Sequence, residues 1–393
     1  MADVVFLCAQ RRDRVTLARL GQDRCEIAFV GEDLESAGSV DLDALVQACA
    51  AHEPRSVVAT KDRSALLAAL VSERLGLGGP TPGALLNCQH KLRSRVIQRR
   101  VVPDATPAFA PFEPASKLTF PLFVKPVVGR LSDGAVLVRA SEDLAQLEPD
   151  RAYAREYADI AAHAGLGAEE CSGFLVEEVL TGLEVTLEGF VQEGSVEILG
   201  ITDSVNYPDT SSFERFEYPT ALSETRRAEL TGVASRLLPA LGLDASLFNI
   251  EFFVPEAGTA KIVEVNGRMA SQYAPLLEHV HGRSSYEVLM ALALGERPGQ
   301  APARRGAFAL SYCVRVFDDA FVERVPRPGD DVELLVSPGE LLSRQGTNDV
   351  ESFRLCIFEQ TGADRAATVA AARARASELR QGFKLWPAQP ARL

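Results

Sequence analysis

Two short runs constrain this chain more than any other stretch: Phe248-Asn-Ile-Glu-Phe-Phe-Val254 and Lys261-Ile-Val-Glu-Val-Asn266. Both alternate and are rich in β-branched or aromatic residues, as strands are. The link between them, Pro255-Glu-Ala-Gly-Thr-Ala260, suits a hairpin. A turn centred on Ala257 and Gly258 sets Glu251 directly opposite Glu264. Residues two apart share a strand face, so Asn266 joins Glu264 there. Opposed carboxylates repel and destabilise a sheet. A hard cation resolves the conflict: two carboxylates and an amide oxygen suit Mg²⁺, which takes water and phosphate oxygens as its other ligands. Arg268 follows beyond the strand end, where a guanidinium can hold a phosphoryl oxygen. The plainer alternative is a solvated polar hairpin face; Asn266 and Arg268, added to the pair, favour a metal–phosphate site.

A chain of 393 residues is too long for one core, so two or three domains are expected. The net charge of −13 argues against nucleic-acid binding and against attraction to anionic membranes. An anionic ligand must therefore be met by local cations and metal. Cys8, Cys25, Cys49, Cys88, Cys171, Cys313 and Cys356 are scattered, without a C-x-x-C spacing, and read as buried thiols of a reducing compartment. The first residues lack a basic leader pattern, and no apolar run reaches membrane-spanning length. The expectation is a cytoplasmic protein.

Apolar runs at 4–8, 25–30 and 56–60, with an amphipathic helix over 41–52, predict a small parallel α/β unit over residues 1–84. It has no G-x-G-x-x-G, so dinucleotide binding has no support. A Gly/Pro cluster at 76–83 leads into a basic helix, for which Asn87 is the expected cap; most of its charges (Lys91, Arg93, Arg95, Arg99, Arg100) read as solvated. Lys125 stands near the end of a strand, before the loop 129–134 and a strand over 135–139. A lysine beside a Gly-containing loop can present charge and backbone N–H groups to a polyphosphate. Residues 174–188 read as two strands joined through Gly182, and 195–201 as a further strand. An irregular loop is expected over 203–219, then a helix over 223–241 with Leu230, Val233, Leu237 and Leu241 on one face. His279 and His281 read as structural. Strands at 308–316, 332–336 and 353–358 and a helix from 363 to about 380 close the chain.

The order Lys91, Lys125, 129–134, Glu177 to Glu184, Glu251, Glu264, Asn266, Arg268, with the motifs FPLFVKPVVG, FLVEEVLTGLEVTLEGF, GITD and IVEVNGR, resembles the ATP-grasp superfamily. Within it, the chain is similar to carboxylate–amine ligases of the L-amino-acid (dipeptide) ligase type. The resemblance implies a mixed α/β and α+β architecture: an N-terminal parallel α/β domain (1–84), ATP-grasp lobes (85–298) and a C-terminal extension (299–393) that is an α+β part of the large lobe. The smaller ATP-binding lobe would cover about 115–190 and the metal-binding lobe 191–298. Lys91, Lys125 and Ser132 would contact ATP phosphates, Glu177, Glu178 and Leu180 the adenine, and Glu184 the ribose. Glu251, Glu264 and Asn266 would hold Mg²⁺, with Mn²⁺ an acceptable substitute. Arg268 and Lys125 would be catalytic, and Arg268, Ser271, Gln272 and Tyr273, with the 203–219 loop, would meet the substrates. The 129–134 loop is poorer in glycine than the family pattern.

The implied reaction activates a carboxylate, an amino acid's, as an acyl phosphate and joins it to an amine, releasing ADP and phosphate. Positioning and charge neutralisation suffice for this, and no nucleophilic triad is needed. Alternatives are a ligase for a larger secondary-metabolite or purine-pathway acid, and an ATP-binding regulator without turnover. Small-molecule acid and amine are the expected partners, with a homodimer compatible with the resemblance.

Overall fold

Along Leu183–Gln192, Val185, Leu187 and Val191 point one way and are buried, while Glu184, Thr186 and Glu188 share the other face. The apolar face packs on the helix Glu224–Leu241, whose Leu230, Val233, Leu237 and Leu241 form the expected stripe. Ser223 caps this helix by accepting from Arg226 N, and Gly242 closes it in the left-handed conformation.

The computed structural model describes residues 2–20, 25–32, 34, 38–112, 118–129, 134–144, 151–299, 306–327, 329, 331–345 and 352–388. Val4–Leu7 lies between Ile27–Val30 and Ser56–Val58 in a parallel sheet, the α/β unit expected at the N-terminus. Helices Leu42–Ala50 and Asp62–Leu75 contribute to the core beside it. A second, antiparallel sheet runs Phe109–Pro111, Phe174–Glu178, Leu122–Pro126, Val136–Val138. The largest sheet is antiparallel with eight strands: Lys261–Asn266, Ser246–Val254, Leu183–Gln192, Ser195–Asn206, Phe213–Tyr218, Phe308–Val316, Phe353–Gly362 and Val332–Leu334. Strands from beyond residue 299 thus continue this sheet and do not begin a separate one. Ala320–Arg324 and Lys384–Pro387 form a small ribbon.

Three expectations fail. Residues 203–219 are not a loop: Ser195–Asn206 runs through Asp203 and pairs with Phe213–Tyr218 as a hairpin. The basic helix is two helices, Pro82–Gln89 capped by Thr81 and Lys91–Val101 capped by His90, whose Nδ1 accepts from Arg93 N. Asn87 is interior to the first and donates to Leu241 O at 3.1 Å. Arg95 is not solvated but 2 % exposed. All seven cysteines are buried free thiols, and no helix among the described residues is long and apolar enough to cross a membrane.

Candidate functional site

The hairpin places the acids as its alternation requires. Glu251 lies in register with Glu264, and Asn249 with Asn266. Thr186 flanks Glu251 on the other side, so Glu184, Thr186 and Glu188 extend one polar face. Burial pushes the Glu251 carboxyl up, and the charges of Glu264 and Glu184 push it further. Burial also lifts Glu184 to about 7 and Glu188 to about 8. An acidic face whose carboxyls resist ionisation is one that a cation would relieve. Asn266 Nδ2 donates to Asn249 Oδ1 at 2.9 Å, which leaves its carbonyl oxygen for a metal. Among the described residues no three His, Cys, Asp or Glu side chains are grouped for a metal. The donors fit Mg²⁺ in its leaner mode, two carboxylates and an amide with phosphate and water completing the shell.

Cations converge on this face from the helix Lys91–Val101, from the smaller sheet and from the chain just past the edge strand. Lys91 Nζ is 3.0 Å from Glu264 Oε1 and donates to Gly129 O at 3.2 Å. Lys125 Nζ is 2.8 Å from Glu177 Oε2 and donates to Val263 O at 3.1 Å, joining the smaller sheet to the larger. Lys261–Asn266 is an edge strand with a register shift between Glu251 and Phe252, and its outward carbonyls are open to such donors. Those of Ile262 and Val263 accept from Arg95 Nη2 at 2.9 and 2.7 Å. Burial lowers the Lys125 pKa, against the pull of Glu177. For Glu177, burial acts upward, but Lys125 and Arg95 outweigh it and hold the carboxyl below its usual value. Arg268 Nε and Nη2 donate to the two oxygens of Asp62, both at 2.7 Å. Burial acts against the Arg268 charge, but Asp62, Glu264 and Glu251 together raise its pKa.

Lys91, Lys125, Glu184, Glu251, Glu264, Asn266 and Arg268 therefore belong to one cleft. The residues expected at the adenine divide. The Glu177 side chain is consumed by Arg95 and Lys125, and Glu178 Oε1 accepts from Ala108 N at 2.8 Å, so neither carboxylate is free for a base. Leu180 lies in the link before Leu183–Gln192, where a Cβ on Gly182 would strike Val254 O at 2.4 Å. Ser132 lies outside the described residues. Tyr273 OH is 3.3 Å from Thr186 Oγ1, and its ring meets Phe216 edge-on at 5.2 Å, so the 203–219 segment does reach the site. Ser271 turns instead to a cavity of about 250 Å³ that Arg12, Thr16, His279 and Tyr286 also line. Gln272 is exposed. Sequence reasoning missed Arg95 and Asp62. Arg95 shares a helical face with Lys91, four residues before it, a spacing that could have paired them. Asp62 has no local signal, because its partner is 206 residues away.

Residues 118–275 match the ATP-grasp domain family. Uncharacterized protein y4rH of Sinorhizobium fredii is 26% identical over 352 residues, 85% of this chain and 67% of that protein. Carnosine synthase 1 of Gallus gallus is 28% identical over 281 residues, 66% of this chain; the match spans only 30% of the synthase. Among solved structures, L-amino acid ligase from Bacillus licheniformis superposes with a TM-score of 0.73 at 17% identity, covering 98% of both chains. The biotin carboxylase domain of Hydrogenobacter thermophilus 2-oxoglutarate carboxylase, crystallised as a dimer with MgADP, gives 0.70 at 15% identity over 98% of this chain and 91% of that one. At these identities the solved structures speak for the fold. The domain match takes in Lys125, Glu177, Glu251, Glu264, Asn266 and Arg268. Residues 118–275 of this chain are thus an ATP-grasp domain, and the chain as a whole shares the fold of these solved structures.

Proposed function

We propose that the protein is an ATP-dependent carboxylate–amine ligase that activates the carboxylate of an amino acid and joins it to an amine, forming an amide with ADP and phosphate. The observation that carries this reading is the Glu251–Glu264 pair beside Asn266 and Arg268, faced by Lys91 and Lys125. A similar protein named carnosine synthase and the fold of an L-amino acid ligase support it.

A carboxylate is a poor electrophile because its leaving group would be oxide. Transfer of the γ-phosphoryl of ATP makes an acyl phosphate, whose carbonyl an amine attacks with phosphate as leaving group. Lys91 and Lys125 offer charge to the polyphosphate, Glu184 an acceptor to the ribose, and the link around Leu180 its backbone to the base. Arg268, held by Asp62, would meet the developing charge on the acyl group. Glu251, Glu264 and Asn266 would hold Mg²⁺ or Mn²⁺, which supplies neutralisation of phosphate charge. ADP release measured against amino acids and small carboxylic acids, singly and in pairs, tests the reading. Turnover should need both an acid and an amine. Release of ADP that ignores every added substrate counts against a ligase.

A further inference from the structure

Beyond the metal pair and its cations, two buried polar atoms lack partners on the same face of the large sheet. Glu188 is 3% exposed and Thr202 0%, and neither Glu188 Oε2 nor Thr202 Oγ1 has a hydrogen-bond partner among the described residues. Such atoms are rare in folded proteins, because each has given up its hydration. These two are neighbours by register. Glu188 lies opposite Gly200 and Thr186 opposite Thr202, which makes Glu188 and Thr202 a diagonal pair on adjacent antiparallel strands. Diagonal partners stand about 7–8 Å apart at the backbone, so the two side chains open on one patch of the sheet face. Gly200 contributes no side chain there, and the Tyr218 ring covers it so closely that a Cβ would lie 2.4 Å from it. Toward the cleft, Glu188 lies opposite Asn249, which binds both Asn266 and the Arg268 carbonyl. Glu188 is thus diagonal to Glu251, again about 7–8 Å away. The Tyr273 hydroxyl, bonded to Thr186, stands over the same row.

The chemistry of this corner is one-sided. A carboxylate oxygen only accepts, a threonine or tyrosine hydroxyl accepts as readily as it donates, and no cation is among the partners described for Glu188. The complementary group carries positive charge and several N–H donors. A divalent metal would call for more oxygen ligands than these. We infer that Glu188, with Thr202 and Tyr273, seats the ammonium group of the amine substrate, on the side of the Glu251–Glu264 pair away from Glu184. The Glu188 carboxylate takes its proton, so that the neutral amine attacks the acyl carbonyl and phosphate leaves. This deepens the ligase reading and rests on it. An amine held there lies beside the Asn266–Arg268 strand end, where the acyl group is to be presented.

Two assays on the full chain separate the steps. Hydroxylamine, uncharged near neutral pH, traps the acyl phosphate as a hydroxamate and needs no ammonium seat; amide formation, with common L-amino acids offered as acid and as amine, does need it. Glu188→Gln should keep hydroxamate formation and the KM values for ATP and acid within about twofold, while the KM for the amine rises at least tenfold. Thr202→Val should move the amine KM in the same sense by less. An unchanged amine KM in both variants overturns the seat and leaves only a trapped water. Loss of hydroxamate and amide together, in a variant that still melts cooperatively, overturns it too, since Glu188 would then serve activation. Wild-type protein that yields neither product with any pair fails the ligase reading itself, and the seat with it.

Discussion

Glu177 lies between Arg95 and Lys125, and its carboxylate offsets one of the two positive charges where water is largely excluded. Removing the carboxylate leaves two buried cations facing each other. Glu177→Gln should therefore destabilise the fold by about 3–5 kcal/mol, the usual result of breaking a buried pair from one side, read as a lower urea midpoint. A midpoint equal to wild type would mean that solvent reaches this trio. Glu264 is a different case. It is half-buried, Lys91 lies 3.0 Å from it, and its charge repels that of Glu251 across the hairpin. Glu264→Ala should leave the melting temperature close to wild type and lower ADP release by about 100-fold or more, the scale expected for loss of an electrostatic catalytic group. Activity within a fewfold of wild type would remove the pair from the site.

At the scale of elements, the legible parts are those whose own period reveals them. The alternation of 248–254 and 261–266 revealed both strands, and the 223–241 stripe revealed its helix and its buried face. The Glu251–Glu264 pairing also needs the register shift beside Glu251, because the turn-side pairs Phe252–Ile262 and Phe253–Lys261 lie one residue off the assumed turn centre. The hairpin at 203–218 was illegible for a physical reason: Asp203, Glu214, Arg215 and Glu217 make it look like solvated loop. Arg215 bonds its neighbours Glu214 and Glu217, but the acids also draw on cations far along the chain. Arg365 Nη1 is 3.2 Å from Asp203 and also binds Glu217, and Arg373 Nε is 3.1 Å from Glu214 Oε1, so a helix some 150 residues later makes the strands' charges tolerable. The cap at His90 was hidden similarly, since histidine is not among the side chains usually read as a start signal. Asn87, the residue that is, sits inside a helix and serves a tertiary bond. For the legible helix, Leu237 is fully buried in the largest core, and Leu237→Ala should cost about 2–5 kcal/mol by chemical denaturation. A cost under about 1 kcal/mol would show that the helix–sheet contact closes over the lost volume.

The whole molecule carries a net charge of −13, yet its cleft gathers four cations around an acidic sheet face, and this arrangement ties stability to pH. Burial raises Glu184 from 4.5 to about 7 and Glu188 from 4.5 to about 8. In that interval the folded chain holds protons that the unfolded chain has released. Stability is then greatest below about 4.5 as far as these two groups decide it, and is lost as pH rises toward 8. Asp62 and Glu177 act in the opposite sense: held below their usual values, they contribute above those values and lose their contribution as pH falls through the acid range. Glu251, also raised to about 8, adds to this loss between about pH 5 and pH 8, while His90, held below its usual value by burial, acts against it. Three raised carboxyls outweigh one histidine, so the ligand-free melting temperature should decline across that window. Glu188 and Glu251 share the upper part of the decline, each on the order of a few kcal/mol when fully ionised. Glu188→Gln should make the curve shallower between about pH 6 and pH 8, leaving the share of Glu251, and should keep its acid limb in place. A wild-type curve that rises over this interval, or a variant that keeps the full slope, would mean that Glu188 is already ionised at neutral pH and that solvent or a bound cation compensates it.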